Sequence, residues 1–472
     1  MLCDMMTDDE LFVAARRVLT VNDRGIWTPP TSITLYPHQF LWDSFFISIG
    51  QRHYDVERAK QEVRSPFRAQ WKNGLVPHII FSDSAGYHAG AELWQSSKTS
   101  TDAPSQVETT GITQPPMAAE ATVRIGEMLT RDARREWYAE MYPQILAWHQ
   151  MLYRERNPRD DGLVRILLSW ESGMDNSPPL MEMLHEYAMS NRVQLMKAMG
   201  LDRWAEQRRR DTKEVPANQR ISTLDVHAIY DLIKFMRKQH YDYRKIMPNH
   251  KFQVVDLPFN CILIRANHHL KVMAEELGET LPADIRHVMR VAPHTLETMW
   301  DDETGYYYSR DGISGKLIRM SGIGSFLPLY ALKLPPERVK VLLGHLHDPK
   351  QFATKYPVPT APLDSPYFKP LCYWQGPTWI NVNWLLIDGL RRNGQADEAE
   401  KLRQSTLALV RQAADKHGFH EYYSPLSGRV AGAPDFSWTA ALTIDLLKTA
   451  SPKQTKLKTQ KRPRRRETNR AR

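Results

Sequence analysis

The chain has 472 residues, 42% of them hydrophobic and 10% aromatic, enough for one large domain or two ordinary ones around a sizeable core. No apolar run reaches about eighteen residues, which excludes a membrane-spanning helix. The formal charge of +9 comes from residues 453–472, where ten Lys and Arg face Glu467 alone, so the body is formally neutral. That tail is almost free of apolar residues and is expected to be disordered, which divides the chain into one folded domain over 1–450 and a basic tail over 451–472. The tail could hold nucleic acid or an anionic surface weakly by charge, but a solvated, solubilising tail is the favoured reading. The body carries no basic, aromatic-interleaved stripe of the kind that binds single strands. Cys3, Cys261 and Cys372 are far apart, with no metal-ligand spacing, and suggest free thiols in a reducing compartment. Residues 1–10 carry four acids and no base, the wrong charge for a targeting leader. A cytoplasmic protein is expected.

Taken in order, the body reads as helices joined by long polar loops. Residues 11–21 form an amphipathic helix behind an acidic first turn of Asp8, Asp9 and Glu10, which suits the helix dipole. Prolines open candidate helices at 37–49, 115–129, 178–199, 258–277, 282–299, 335–346 and 377–392, since proline fits the first helical turn. Residues 55–71, 131–154, 223–239, 397–417 and 436–448 complete the series. Strand signals are scarce: 161–167, 305–308 and 419–423 with the turn at Ser427-Gly428-Arg429 read as short hairpin arms in loops. Helices in antiparallel pairs predict an all-α fold, with a toroid of helical hairpins as the best candidate. Such a toroid would place its helix-joining loops around one central cavity. A solenoid would share the periodicity, but no repeat is visible.

The loop candidate around which the rest is arranged is Trp170-Glu171-Ser172-Gly173-Met174-Asp175-Asn176-Ser177-Pro178. Gly, Ser, Asp and Asn disfavour a helix interior, and Ser177-Pro178 marks a new helix start. Two carboxylates four residues apart beside a Trp could hold a polar ligand. A capped helix start with a solvated acid would use the same residues. Glu421, between aromatics in Gly418-Phe419-His420-Glu421-Tyr422-Tyr423, is a candidate second carboxylate, and by itself equally a surface acid. Four further stretches pair aromatic and polar side chains at helix boundaries: Tyr36-Pro37-His38-Gln39-Phe40-Leu41-Trp42-Asp43, Gly74-Leu75-Val76-Pro77-His78, Thr113-Gln114-Pro115-Pro116 and Cys372-Tyr373-Trp374-Gln375-Gly376-Pro377-Thr378-Trp379. Sugars need this mixture, because aromatic faces cover their C–H faces while carboxylates, amides and imidazoles pair their hydroxyls. Each segment alone could equally be core aromatics.

These motifs, together with Phe436-Ser437-Trp438-Thr439-Ala440-Ala441, resemble glycoside hydrolase family 63, closest to its mannosylglycerate and glucosylglycerate hydrolase branch. The resemblance runs from about residue 30 to residue 448 and implies an (α/α)6 barrel with short β-hairpins in its loops. It implies hydrolysis of an α-glycosidic bond with inversion, Asp175 matching the general acid and Glu421 the general base. Asp175 must then hold a proton near neutral pH through burial or a neighbouring acid, for which Glu171 is a candidate. Inversion asks for carboxyls about 6.5–9.5 Å apart, to leave room for the attacking water. Tyr36, Trp42, Asp43, His78, Tyr87, Gln114, Trp170, Glu171, Gly173, Tyr373, Trp374, Gln375 and Trp379 match positions of the family's sugar pocket. The loop Tyr87-His88-Ala89-Gly90 and the segment Asn218-Gln219-Arg220 are candidates for a glycerate carboxylate, although Ile221 to Asp225 departs from the family pattern. Residues 91–111, rich in Ser and Thr, read as a mobile lid or a surface loop. No metal or organic cofactor is implied. The partner is a small-molecule glycoside, and a homo-oligomer is compatible.

Two other classes stay open. A sugar epimerase on the same barrel would want paired histidines at its centre, and His268-His269 is the adjacent pair, placed in mid-helix. A carbohydrate-binding protein without turnover would lack one of the two acids.

Overall fold

A helix that is apolar around its whole circumference has to be enclosed. Leu41–Gln51 comes close to this, apolar but for Asp43, Ser44, Ser48 and Gln51, and every one of its residues is buried. It belongs to a computed structural model that describes residues 6–31, 35–82, 89–189 and 215–449. Apart from single turns at Ala91–Trp94, Ser96–Thr99 and Tyr243–Ile246, the described helices are α1 (Asp8–Asn22), α2 (Leu41–Gln51), α3 (Val56–Phe67), α4 (Ala118–Gly126), α5 (Arg131–Arg156), α6 (Pro178–Ala188) and α7 (Thr223–Lys238). They continue as α8 (Leu257–Leu277), α9 (Ala283–Glu297), α10 (Pro328–Ala331), α11 (Pro336–Leu346), α12 (Ile380–Arg392), α13 (Ala396–His417) and α14 (Ser437–Lys448).

Six of these helices close a ring. α2 packs on α4, α4 on α8, α8 on α10, α10 on α12, α12 on α14, and α14 returns to α2. The intervening helices form an outer layer: α3 lies on α2 and α4, α5 on α4 and α8, α9 on α8, α13 on α12 and α14, and α1 on α14. The chain alternates inner and outer helices, and the architecture is the expected (α/α)6 barrel. The ring closes tightly where α14 meets α2, since a Cβ on Gly50 would collide with the backbone of Ala441. α6 and α7 pack on each other outside the ring. Among the described residues no helix is long and apolar enough to cross a membrane.

Four two-stranded antiparallel sheets decorate the loops. β1 (Gln39–Phe40) pairs with β2 (Ile79–Ile80), β3 (Val254–Val255) with β6 (Arg310–Asp311), β4 (Trp300–Asp301) with β5 (Tyr306–Tyr307), and β7 (His420–Tyr423) with β8 (Val430–Pro434). The hairpin arms expected at 305–308 and 419–423 are β5 and β7. The arm expected at 161–167 reduces to a single bridge, Ile166 to Val254.

Three differences from the sequence reading have physical causes. Pro37, Pro115 and Pro377 do not sit at the first helical turn, because α2, α4 and α12 begin three or four residues later at Leu41, Ala118 and Ile380. Before α2 and α12 the residues between are extended, since Gln39 and Phe40 pair with Ile80 and Ile79 and Thr378 bridges Pro359 and Tyr423, whereas before α4 Met117 closes a turn on the Pro115 carbonyl. The inner helix α10 was not foreseen. It has four residues behind a 3-10 turn, Ile323–Phe326, too short for a periodic pattern. Residues 91–111, expected as a mobile lid or a surface loop, are packed on the body. Trp94 is fully buried there, donates from Nε1 to the Ala89 carbonyl at 3.1 Å and stacks on Tyr241, while the Ser96 hydroxyl and Thr109 pair inside. The rest of the helix expected over 178–199, past Ala188 and Met189, and the tail over 451–472 lie outside the described residues.

Below the ring's centre the inner helices exchange charges. Asp445 of α14 accepts from Arg52 at 2.8 Å, from His53 at 2.8 Å and from the Trp384 indole at 2.8 Å. Burial opposes its charge, yet the His53 bond and the Arg52 and Arg124 charges outweigh it and hold the carboxyl well below the usual range. Such a depressed group stabilises the fold fully above the unfolded carboxylate value, near 3.9, and loses that contribution as pH falls through its folded value. Asp445→Asn leaves Arg52 buried without its counter-charge, at a cost of about 3–5 kcal/mol. The expected result in denaturant titrations is a destabilisation that is full at about pH 5 and above and shrinks towards zero on acidification.

Candidate active site

The loops above one end of the ring enclose a cavity of about 90 Å³. A water needs roughly 10–15 Å³ by the same measure, so there is room for several waters or one sugar ring. α2 contributes Trp42 and Asp43 from its first turn, and α14 contributes Trp438 with Phe436 just before it. The wall is completed by Tyr36, His78, Gln114, Trp170, Gly173, Asp175, Arg220, Tyr373 and Glu421, with Pro30, Leu35, Phe40 and Ile221 at its apolar parts. Residues hundreds of positions apart thus face one space.

The Asp175 loop is built as its composition demands. A 3-10 turn, Ser169–Ser172, ends at Gly173 in the left-handed region at φ 71°. A Cβ there would also collide with the Trp42 indole, so only glycine fits. Ser172 Oγ accepts from the Met174 amide at 2.9 Å, and Asn176 Oδ1 accepts from the Trp374 amide at 2.8 Å. The loop is thereby tied to the turn that carries Tyr373. The Tyr373 hydroxyl donates to Asp175 Oδ2 at 3.3 Å. Burial pushes the Asp175 carboxyl up to about 7 and the nearby Glu421 charge adds to this, while the Tyr373 bond and the Arg220 charge pull it back. A carboxylic acid with a labile proton near neutral pH is the result.

Glu421 sits on β7, opposite β8. Its Oε1 accepts from the Tyr36 hydroxyl at 2.8 Å, and its Oε2 accepts from Arg220 Nη2 at 3.2 Å and from the Ala433 amide at 2.9 Å. Three donors, one of them a cation, suit an acceptor-only carboxylate. Arg220 Nη1 also donates to the Tyr36 hydroxyl at 2.7 Å. The two carboxyls therefore share a cavity in contrasting surroundings, one held by a single phenol, the other by an ion pair. Asp43 is pushed well up by burial, with Glu421 and Asp175 adding charge, and burial pushes His78 down to about 3, so its ring is neutral.

Glu171 is a correction. It does not line the cavity. Its carboxylate forms a two-pronged ion pair with Arg156 at 2.9 and 3.0 Å and accepts from the Leu167 and Thr113 amides at 2.6 and 3.3 Å. Arg156 in turn lies over the Tyr243 ring at 4.0 Å. All its capacity is spent bracing the loop from behind, and the neighbouring acid that pushes on Asp175 is Glu421. Trp374 and Trp379 are also set back from the wall. They stack on each other at 3.8 Å and 6°, and Trp379 continues onto Tyr422 at 4.8 Å. Gln375 is buried in the turn, its amide donating to the Cys372 carbonyl at 2.8 Å. This turn holds Tyr373 at φ 45°, a left-handed conformation that costs a non-glycine residue about 1–3 kcal/mol. The Trp379 indole secures it by donating to the Tyr373 carbonyl at 2.7 Å. Tyr36, Trp42, Asp43, His78, Gln114, Trp170, Gly173 and Tyr373 all reach the cavity. Tyr87 and His88 lie outside the described residues.

The residue whose place was not foreseen is Arg220. The sequence marked its segment as a candidate for an aglycone, not as the partner of Glu421. An arginine beside a short polar turn carries no periodic signal, and its carboxylate partner is 201 positions away. Phe436 and Trp438 stood in a motif already singled out, though without a role.

A family model described as the mannosylglycerate hydrolase MGH1-like glycoside hydrolase domain matches residues 36–439. The chain is 37% identical over 433 residues to a mannosylglycerate hydrolase of Thermus thermophilus, covering 91% of this chain and 99% of that one. It is 32% identical to a glucosylglycerate hydrolase of Mycolicibacterium hassiacum over 93% of this chain and 98% of the relative. The crystal structure of the family 63 mannosylglycerate hydrolase from Thermus thermophilus in complex with Tris and D-glycerate superposes with a TM-score of 0.82 at 36% identity, covering 92% of this chain and 99% of that one. A neutral trehalase from Saccharomyces cerevisiae shares the fold at a TM-score of 0.55 and 16% identity. The chain belongs to glycoside hydrolase family 63, in its mannosylglycerate hydrolase MGH1-like branch.

Proposed function

We propose that this enzyme hydrolyses the α-glycosidic bond of mannosylglycerate or glucosylglycerate with inversion, Asp175 acting as general acid and Glu421 as general base. The observation that carries the reading is the pair of carboxyls in one sugar-sized cavity, one with its proton held to about 7 and the other paired with a cation. Asp175 delivers its proton to the glycosidic oxygen as the bond to the anomeric carbon breaks. A water attacks that carbon from the opposite face and passes its proton to Glu421. The cycle ends with Asp175 ionised and Glu421 protonated, and exchange with solvent resets both.

The glycerate part of the reading rests on the relatives' substrates and on Arg220. Buried donors take partners, and the Nε–H of Arg220 has none among the described residues. A carboxylate on the aglycone would satisfy it and favour acidic over neutral glycosides. The epimerase reading finds less support: His78 is the histidine on the cavity wall, while His269 lies on α8 against Glu120 at 3.5 Å, away from the cavity.

Asp175→Asn and Glu421→Gln are each expected to lower kcat by about 10²–10⁴-fold with the thermal transition retained, measured as hexose release. Wild-type-like turnover in either variant would defeat the assignment. The acid form of Asp175 is the active one, so kcat/KM should decline as pH rises through about 7. A panel of α-glucosides and α-mannosides of glycerate and glycerol, followed by proton NMR of the freshly released sugar, tests aglycone and stereochemistry. The β-anomer should appear first, and preference for the neutral glycerol glycosides would remove the role given to the Arg220 charge.

A further inference from the structure

Lone-pair accounting at Glu421 leads beyond the two-carboxyl reading, on which this inference rests. Each carboxylate oxygen offers two acceptor sites. Oε2 fills both, one with Arg220 Nη2 and one with the Ala433 amide. Oε1 fills one, with the Tyr36 hydroxyl. The Tyr36 hydroxyl itself accepts from Arg220 Nη1, so Glu421, Tyr36 and Arg220 close a hydrogen-bonded ring. That ring fixes the carboxylate plane and leaves Oε1 as the oxygen with an acceptor site for a water proton.

The same guanidinium borders the phenol that holds the other carboxyl. Arg220 lies over the Tyr373 ring at 4.9 Å and over the Tyr36 ring at 5.6 Å, and Tyr373 is the phenol bonded to Asp175. The segment carrying Arg220 is docked on the Glu421 hairpin at two more points: the Gly432 amide donates to Gln219 Oε1 at 3.1 Å, and the Tyr422 hydroxyl donates to the Gln219 carbonyl at 3.2 Å. The cation therefore moves with the base and borders the acid.

We propose that Arg220 is a positioning residue for both carboxyls at once: it selects Oε1 of Glu421 as the proton acceptor and, as the cation shared between Glu421 and Asp175, sets the pH range in which one is ionised while the other keeps its proton. The groups facing this pair from the surrounding elements are Asp43 on α2, Tyr36 before it, neutral His78 just before β2, Tyr373 and Cys372 on the Tyr373 turn, and Tyr422 on β7. None of these is a second cation. Removing the positive charge leaves two or three acids facing one another, which favours the protonated form of each.

The test is the pH dependence of kcat/KM for the wild type, Arg220→Gln and Arg220→Lys, with glucosylglycerate or mannosylglycerate, whichever the enzyme turns over. In Arg220→Gln both limbs of the profile should move to higher pH by about one unit or more, alongside a fall in kcat. Arg220→Lys keeps the charge and loses the fork, so its limbs should stay near the wild-type positions while kcat falls about tenfold or more. Added guanidinium should pull the Arg220→Gln limbs back. Limbs unmoved in Arg220→Gln, whatever its rate, overturn the proposal. If that variant does not fold, limbs displaced in Arg220→Lys overturn it and limbs in place with lowered kcat support it. An active Glu421→Gln would instead defeat the general-base reading itself, which keeps the two failures apart.

Discussion

A carboxyl in a dry pocket keeps its proton unless a cation or several donors compensate the charge, and this constraint governs the top of the barrel. Asp175 has one phenol and a share of a guanidinium, so burial wins and the group stays protonated to about 7. Glu421 has an arginine, a phenol and a backbone amide. In the proposed mechanism the division of labour between acid and base is thus a division of hydrogen-bond donors. The donors come from Tyr36, Arg220, Tyr373 and Ala433, and bringing these distant positions together is the task of the toroid.

The inner ring supplies the rigidity. Its helices are enclosed on nearly every side, as in α2 and in the run from Ser437 to Leu446 of α14. Charged residues below the cavity in that core come in paired sets. Asp445 with Arg52 and His53 is one, and Glu120 with Arg124, His269 and Tyr330 is another. Arg52 and Arg124 lie at the C-terminal ends of α2 and α4, and Arg391 and Arg392 end α12, where cations meet the negative end of the helix dipole. Asp43, in the first turn of α2, lies at the opposite pole, on the cavity wall.

Behind the lining, strain is held in place by packing. Tyr373 occupies a left-handed conformation that its own side chain disfavours, and the stacked Trp374 and Trp379 with the Trp379 indole bond keep it there. Gly173 leaves room for the Trp42 indole on the opposite side. Glu171 and Arg156 neutralise each other underneath. Trp374, Trp379, Glu171 and Arg156 do not line the cavity, yet they brace the turn and the loop in which the Tyr373 hydroxyl meets Asp175.

The amino-acid order by itself determined the helical class, most helix spans and the aromatic-plus-polar loops, because amphipathic periodicity, prolines and glycines act over a few residues. It marked Asp175 and Glu421 as candidates through the style of their loops and through resemblance. It could not tell Glu171 from Asp175, two acids in one loop, because the difference is which of them Arg156 reaches. It placed the starts at Pro37 and Pro377 too early, because extended pairing of Gln39, Phe40 and Thr378 overrides the local preference of a preceding proline. It read residues 91–111 as a lid or a surface loop from their Ser and Thr content, and could not show that Trp94 is buried there. The place of Arg220 between two phenols and a carboxylate was settled by tertiary structure alone, since electrostatic partnership across about 200 positions leaves no local pattern to read.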